Sequence, residues 1–143
     1  MLVKDIMNKN VVTIGPDATV QEAAKKMASE KSDCLIVTSN EKLEGIVTDW
    51  DFIGKVCAKG LDVKKVKIKD VMTDKVIVTG PDTDIDEVAK IMTEHNIKKV
   101  PIVMSNILIG VVTATELIAA EPKLLEEIGT LFMMPKKGKP LAG

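Results

Sequence analysis

A copy of the chain's own sequence, laid 65 residues along, aligns with it without a gap over 48 positions. Lys4–Asp51 falls on Lys69–Glu116, and 15 of those 48 positions are identical. Lys4-Asp5-Ile6-Met7 meets Lys69-Asp70-Val71-Met72. Gly15-Pro16-Asp17 meets Gly80-Pro81-Asp82. Gly45, Val47 and Thr48 meet Gly110, Val112 and Thr113. A repeat of this length means one supersecondary unit made twice, and that excludes most single-copy folds for a chain of 143 residues.

Each copy reads in the same order. Lys-Asp-Ile/Val-Met is a short helical turn. Val11–Ile14 and Val76–Thr79 are β-branched runs closed by Gly-Pro, hence strands followed by turns. Thr19 and Asp84 stand where helix N-caps belong, with Glu22 and Glu87 three residues on. Val20, Ala23, Ala24 and Met27, and Ile85, Val88, Ala89 and Met92, recur at i, i+3, i+4, i+7 and predict two amphipathic helices. Cys34–Val37 and Val100–Met104 are second strands. Glu44–Thr48 and Leu108–Thr113 are third strands, reached through turns at Asn40–Lys42 and Ser105-Asn106. The last helices are expected over Asp49–Ala58 and Ala114–Ala120, ended by Gly60 and Pro122. The order is β-α-β-β-α, twice. Residues 1–60 form one repeat, 61–68 a connector, 69–120 the second repeat, and 121–143 an extra helix over Lys123–Phe132 with a flexible, Lys/Gly/Pro-rich tail. The fold class is α/β, and the exposed apolar sheet face of each copy predicts sheet-to-sheet packing about a pseudo-twofold axis.

The corner between third strand and helix carries the chemistry. Gly45-Ile46-Val47-Thr48-Asp49-Trp50-Asp51 and Gly110-Val111-Val112-Thr113-Ala114-Thr115-Glu116 each set a hydroxyl three residues before a carboxylate. Such a pair is a capping box. It is also a fit for a ribose diol on the carboxylate and a phosphate near the hydroxyl and the free N–H groups of the helix start. Composition removes competing functions. Aromatics are 2% with no Tyr, too few for single-strand stacking, and the net charge of −1 gives no basic field for nucleic acid. One His and two Cys (Cys34 and Cys57, read as buried small hydrophobes) predict neither a metal site nor a disulfide framework. No apolar run approaches a membrane span and Met1–Asp5 lacks a signal-peptide core, so a cytoplasmic protein is expected. The chain also lacks a Gly-rich phosphate loop and a nucleophile–base pair, and no enzyme activity is expected.

The Asp-Ile/Val-Met turns, Lys99-Val100-Pro101-Ile102-Val103 and the doubled Gly-x-x-Thr-x-x-Asp corner, in this order, resemble tandem CBS domains. The pair is similar to a stand-alone Bateman module over about residues 1–120. The resemblance implies a regulatory module that binds AMP, ADP or ATP, or else S-adenosylmethionine. It implies a homodimer, an effector protein that reads the bound state, and no required cofactor. It gives the Thr to phosphate or ribose, the Asp to the ribose hydroxyls, and the adenine to strand ends of the opposite repeat. Carried onto this chain, cleft A joins Thr48 and Asp51 to Ile77, Val78, Ile97, Lys98 and Lys99. Cleft B joins Thr113 and Glu116 to Val12, Thr13, Ser32, Asp33 and Cys34. Cleft A has two lysines. Cleft B has Asp33 and no cation, and repulsion of a phosphate there costs at least about 1 kcal/mol. Cleft A is therefore the expected working site. Asp49-Trp50 and Ala114-Thr115 depart from the basic residues common between Thr and Asp in the family. A structural module without ligand remains the alternative.

Overall fold

The computed structural model describes residues 1–133; the expected tail over 136–143 lies outside them. The chain is mixed α/β, with five strands among the described residues: β1 (Thr13–Ile14), β2 (Cys34–Ser39), β3 (Lys42–Thr48), β4 (Lys99–Met104) and β5 (Ile107–Thr113). The helices are α1 (Val20–Glu30), α2 (Asp49–Phe52), α3 (Ile85–His95), α4 (Ala114–Ala120), α5 (Leu125–Ile128) and α6 (Thr130–Met133). The chain divides into two compact units, and these are not cut where the repeat is. One unit is Asn10–Val76 with Ser105–Leu108. The other is Met1–Lys9, Ile77–Met104 and the described residues from Ile109 onward.

In the first-repeat unit, β1 runs parallel to β2, with Thr13 opposite Ile36, and β2 runs antiparallel to β3, with Cys34 opposite Thr48. The turn between β2 and β3 has both central residues at positive φ, Asn40 at 51° and Glu41 at 68°. That is the hairpin geometry that matches strand twist. The tip of the second hairpin joins this unit. Lys42 pairs with Ile107, and the Leu43 and Leu108 N–H groups donate to the carbonyls of Asn106 and Glu41. Helix α1 starts where Thr19 accepts the Glu22 N–H at 3.1 Å and stops at Lys31 in the left-handed region. Val20, Ala23 and Met27 go into a core with Leu35, Val37, Val47, Phe52, Val56 and Ile68.

The second-repeat unit repeats the plan around Val88, Ala89, Met92, Val100, Ile102, Val112 and Leu117. Asp84 caps α3 by accepting the Asp86 N–H at 2.9 Å, and Asn96 ends the helix in the left-handed region.

The turns that open each repeat explain two of its motifs. Ile68–Asp70 packs on the first-repeat unit, and Val3–Asp5 on the second-repeat unit. Ile46 and Thr73 exchange two 2.9 Å backbone hydrogen bonds. A Cβ on Gly45 would lie 2.7 Å from the Thr73 carbonyl oxygen and 2.8 Å from Met72 Sδ. In the other unit Asn8 and Val111 exchange the same pair, and a Cβ on Gly110 would lie 2.6 Å from Met7 Sδ. Gly and Met of the repeat are thus one packing device. Lys69 pairs with Asp17 at 3.1 Å and Lys4 with Asp82 at 2.9 Å, so the Lys and the Gly-Pro-Asp motifs are partners too.

Four expectations change. Val76–Thr79 is not a strand. Only Thr79 bridges, to Ile102, because a single pair of backbone bonds, Thr79 N–H to Pro101 and Val103 N–H to Thr79, reaches it. The helix expected over Asp49–Ala58 is α-helical only to Phe52 and then widens into a π turn over Ile53–Cys57, with the Ala58 N–H on the Ile53 carbonyl. Cys57, expected buried, is exposed; Cys34 is buried. The helix expected over Lys123–Phe132 is a 3₁₀ turn followed by α5 and α6, broken at Gly129. Its Leu124, Ile128 and Leu131, spaced 4 and 3 apart, are buried in the second-repeat core, while Leu125 and Phe132 face out. Helical spacing sets all five on one face, so the exposure of Leu125 and Phe132 departs from that expectation, in a segment broken into short helices at Gly129.

Candidate functional site

Each corner is a reciprocal capping box. At the first, Thr48 Oγ1 accepts the Asp51 N–H at 3.2 Å. Asp51 Oδ2 accepts the Thr48 N–H at 2.9 Å and its O–H at 3.2 Å. At the second, Thr113 Oγ1 accepts the Glu116 N–H at 3.3 Å, and Glu116 Oε1 accepts the Thr113 N–H at 2.8 Å and its O–H at 3.1 Å. All four side chains are half-buried. The reason is local: Thr48 and Thr113 keep extended backbone, φ −121° and −111°, while the next residues are helical. The side chains then close on the free N–H groups. The extra methylene of Glu116 does not prevent this. The corners differ around the second carboxylate oxygen. Asp51 Oδ1 holds Lys55 Nζ at 3.0 Å. Glu116 Oε2 has no partner among the described residues.

The antiparallel hairpins decide what stands beside each corner within its own unit. The start of β2 lies at the end of β3, so the Asp49 N–H donates to the Asp33 carbonyl at 3.0 Å and Cys34 faces Thr48. Ser32 Oγ turns back to the Cys34 carbonyl at 2.7 Å. The Val12 carbonyl accepts the Ile36 N–H, and the Thr13 carbonyl accepts Lys26 Nζ. Val12, Thr13, Ser32, Asp33 and Cys34 therefore share a unit with Thr48 and Asp51. In the other unit the Ala114 N–H donates to the Lys98 carbonyl at 2.8 Å, which sets Ile97, Lys98 and Lys99 at the Thr113–Glu116 corner. Ile77 and Val78 are half-buried in that same unit. Within each unit, then, the carbonyl at the first corner belongs to an acidic residue and that at the second to a lysine. Lys98 Nζ lies 5.3 Å from the centroid of the Phe132 ring, a cation–π contact that sequence reading missed. Nothing in the repeat signals it, because Phe132 stands outside the repeated segment. Asp49, adjacent to the corner, turns Oδ1 onto the Trp50 N–H at 2.7 Å. Among the described residues there is no group of three or more His, Cys, Asp or Glu that could hold a metal ion, and no helix long and apolar enough to cross a membrane.

The model of the CBS domain matches residues 3–57 and 68–123. The chain belongs to the CBS domain family, as a tandem pair. It is 31% identical over 115 residues to the CBS domain-containing protein YhcV of Bacillus subtilis, covering 80% of this chain and 81% of that one. It is 30% identical over 115 residues to hypoxic response protein 1 of Mycobacterium tuberculosis, covering 80% of each. The crystal structure of Hypoxic Response Protein I with two coordinated zinc ions superposes with a TM-score of 0.76 at 28% identity, over 85% of this chain and 98% of that one. A hexameric CBS-CP12 protein from bloom-forming cyanobacteria gives a TM-score of 0.72 at 29% identity, over 99% of this chain and 77% of that one.

Proposed function

We propose that the chain is a regulatory module in the cytoplasm that binds an adenosine-containing ligand, AMP, ADP or ATP, at its strand-to-helix corners. It works as a homodimer, passes the bound state to an effector protein, and catalyses nothing itself. The observation that carries this reading is the second corner. A half-buried carboxylate, Glu116, is fixed by one oxygen while the other is open, beside a lysine-bearing strand start. An oxygen so placed accepts hydroxyl donors, and Lys98 and Lys99 supply charge of the sign a phosphate needs. Membership of a family of paired domains supports a sensing rather than a chemical role. The mechanism is a bias on packing: a ligand that prefers one arrangement of the module shifts the population toward it by its differential affinity.

One observation favours a second reading, a structural module that binds no ligand. Both corner hydroxyls are already engaged in capping boxes, which stabilise the helices with no ligand present. Thermal melting with AMP, ADP, ATP and S-adenosylmethionine separates the two. A ligand at 100 times its Kd adds about 2.7 kcal/mol to the folded state, and for this chain length the melting temperature rises by several degrees. If none of the four raises it, the structural reading replaces this one. If only S-adenosylmethionine does, the ligand class changes with it. The corner that uses Lys98 is read by a double-mutant cycle. Lys98→Ala couples to Glu116→Gln if the lysine serves the second corner, and to Asp51→Asn if it serves the first.

A further inference from the structure

Lys55 singles out the first corner. Its ammonium sits 3.0 Å from Asp51 Oδ1 and donates to the Val71 carbonyl at 2.8 Å. Asp51 is 14% exposed and Lys55 44%, so a nearly enclosed carboxylate is tied to the segment after the connector by a side chain that water can reach. The π turn over Ile53–Cys57 carries Lys55. The position 65 residues on is Ala120, so the second repeat has no counterpart.

Acceptor counting turns this into a functional difference. A carboxylate offers about four lone-pair sites. At Asp51 three are taken: two by the Thr48 N–H and O–H, one by Lys55. A vicinal diol brings two donors, one more than the site can accept. The Thr48 N–H is backbone, and its Oγ1 is pinned by the Asp51 N–H. Lys55, on a long exposed stem, is the donor able to leave. At Glu116 both Thr113 donors share Oε1, and Oε2 can take both hydroxyls with nothing displaced.

We infer that Lys55 is a latch. A diol-bearing ligand fills the Glu116 corner without rearrangement, but reaches Asp51 only by displacing Lys55, which then also releases the Val71 carbonyl. Occupancy of the first corner is thereby converted into loosening of the segment Ile68–Thr73. That segment is also held by the Ile68 and Lys69 N–H groups on the Ala18 and Pro16 carbonyls, by the Lys69–Asp17 ion pair and by the Ile46–Thr73 bond pair, so the loosening centres on Val71–Thr73. This rests on the adenosine reading proposed above, and it makes Lys55 a positioning residue for Asp51 rather than a ligand contact.

The test uses adenosine, whose lack of charge removes any direct effect of the lost ammonium on a phosphate, with AMP as a second probe. Calorimetric titrations compare the wild type, Lys55→Met, Glu116→Gln and the double variant, each checked for a cooperative melt. With the second corner silenced by Glu116→Gln, adding Lys55→Met tightens adenosine by roughly two- to five-fold, the range of a partly exposed ion pair. Amide exchange at Met72 and Thr73 speeds up when adenosine binds Glu116→Gln, and is already fast in unliganded Lys55→Met. A role in packing alone would not tighten a ligand. If Glu116→Gln binds adenosine but Lys55→Met changes neither its affinity nor that exchange, the latch is wrong and the adenosine reading stands. If the wild type binds but neither Glu116→Gln protein does, the first corner takes no ligand and the latch is refuted. If none of the four binds adenosine or AMP, the adenosine reading falls and the latch with it.

Discussion

Replacing Gly45 by Ala tests the account of why each repeat carries a glycine on its third strand. The new Cβ lands 2.7 Å from the Thr73 carbonyl oxygen, 2.8 Å from Met72 Sδ and 3.1 Å from Met72 Cγ. Carbon–oxygen contacts relax near 3.3 Å, so Thr73 must retreat by about 0.6 Å. Met72 can swing its flexible sulfur aside. Thr73 cannot, because its oxygen and its N–H are both bonded to Ile46 at 2.9 Å. A retreat of that size stretches both bonds toward 3.5 Å, where little of each remains. Overpacking of this kind costs about 1–3 kcal/mol, and weakened hydrogen bonds about 0.5–1.5 kcal/mol each. Against that, Ala restricts the unfolded chain and returns about 0.4–1 kcal/mol. The net expectation is a loss of about 1–5 kcal/mol, or roughly 3–20 °C in melting temperature for a chain of this size. Gly15→Ala is the control: nothing lies within 4 Å of its Cβ, so the unfolded-state effect acts alone and stability holds or rises. Urea unfolding of both variants, with unchanged m-values, measures the difference. If Gly45→Ala proves as stable as Gly15→Ala, the close approach of Thr73 is not what the glycine is for.

Two further predictions concern the ends of the fold. Ile128→Ala empties a fully buried site in the second-repeat core and costs about 2–5 kcal/mol, whereas Leu125→Ala, at a 55% exposed position, stays within about 0.5 kcal/mol; chemical denaturation reads both. The acid limb follows from two carboxylates. The hydrogen bond from Lys69 holds the Asp17 carboxyl below its ordinary value of 3.8, and the Asp86 backbone N–H does the same for Asp84. A carboxyl depressed by folding contributes stability above its unfolded pKa and loses it as pH falls through the folded one. Stability therefore declines from about pH 4 downward, and Asp17→Asn combined with Asp84→Asn flattens that decline in melts taken between pH 5 and pH 2.

The repeat, the helix faces, the hairpin turns and the corner motif are all legible in the sequence, because each is set by spacing along the chain. Periods of two and 3.6 reveal buried faces, and a hydroxyl three residues before a carboxylate closes a capping box wherever a helix starts. Thr48 with Asp51 and Thr113 with Glu116 needed nothing distant. What the sequence could not settle are contacts made between segments far apart in it. Val76–Thr79 has the composition of a strand, yet only Thr79 finds a partner, and composition does not count partners. Gly45 and Met72 each recur in the repeat, but only the tertiary structure shows that one exists to admit the other. Leu124, Ile128 and Leu131 follow a helical stripe in the sequence; the second-repeat core that buries them lies up to 128 residues earlier, at Val3. Lys55 reads as one more surface lysine until Asp51 on one side and Val71 on the other are seen at hydrogen-bond distance. The sequence marked two corners of one pattern with unequal surroundings, Asp51 at one and Glu116 at the other. Only the tertiary structure shows which donors crowd each carboxylate, because Lys55 and Val71 come together with Asp51 through the fold.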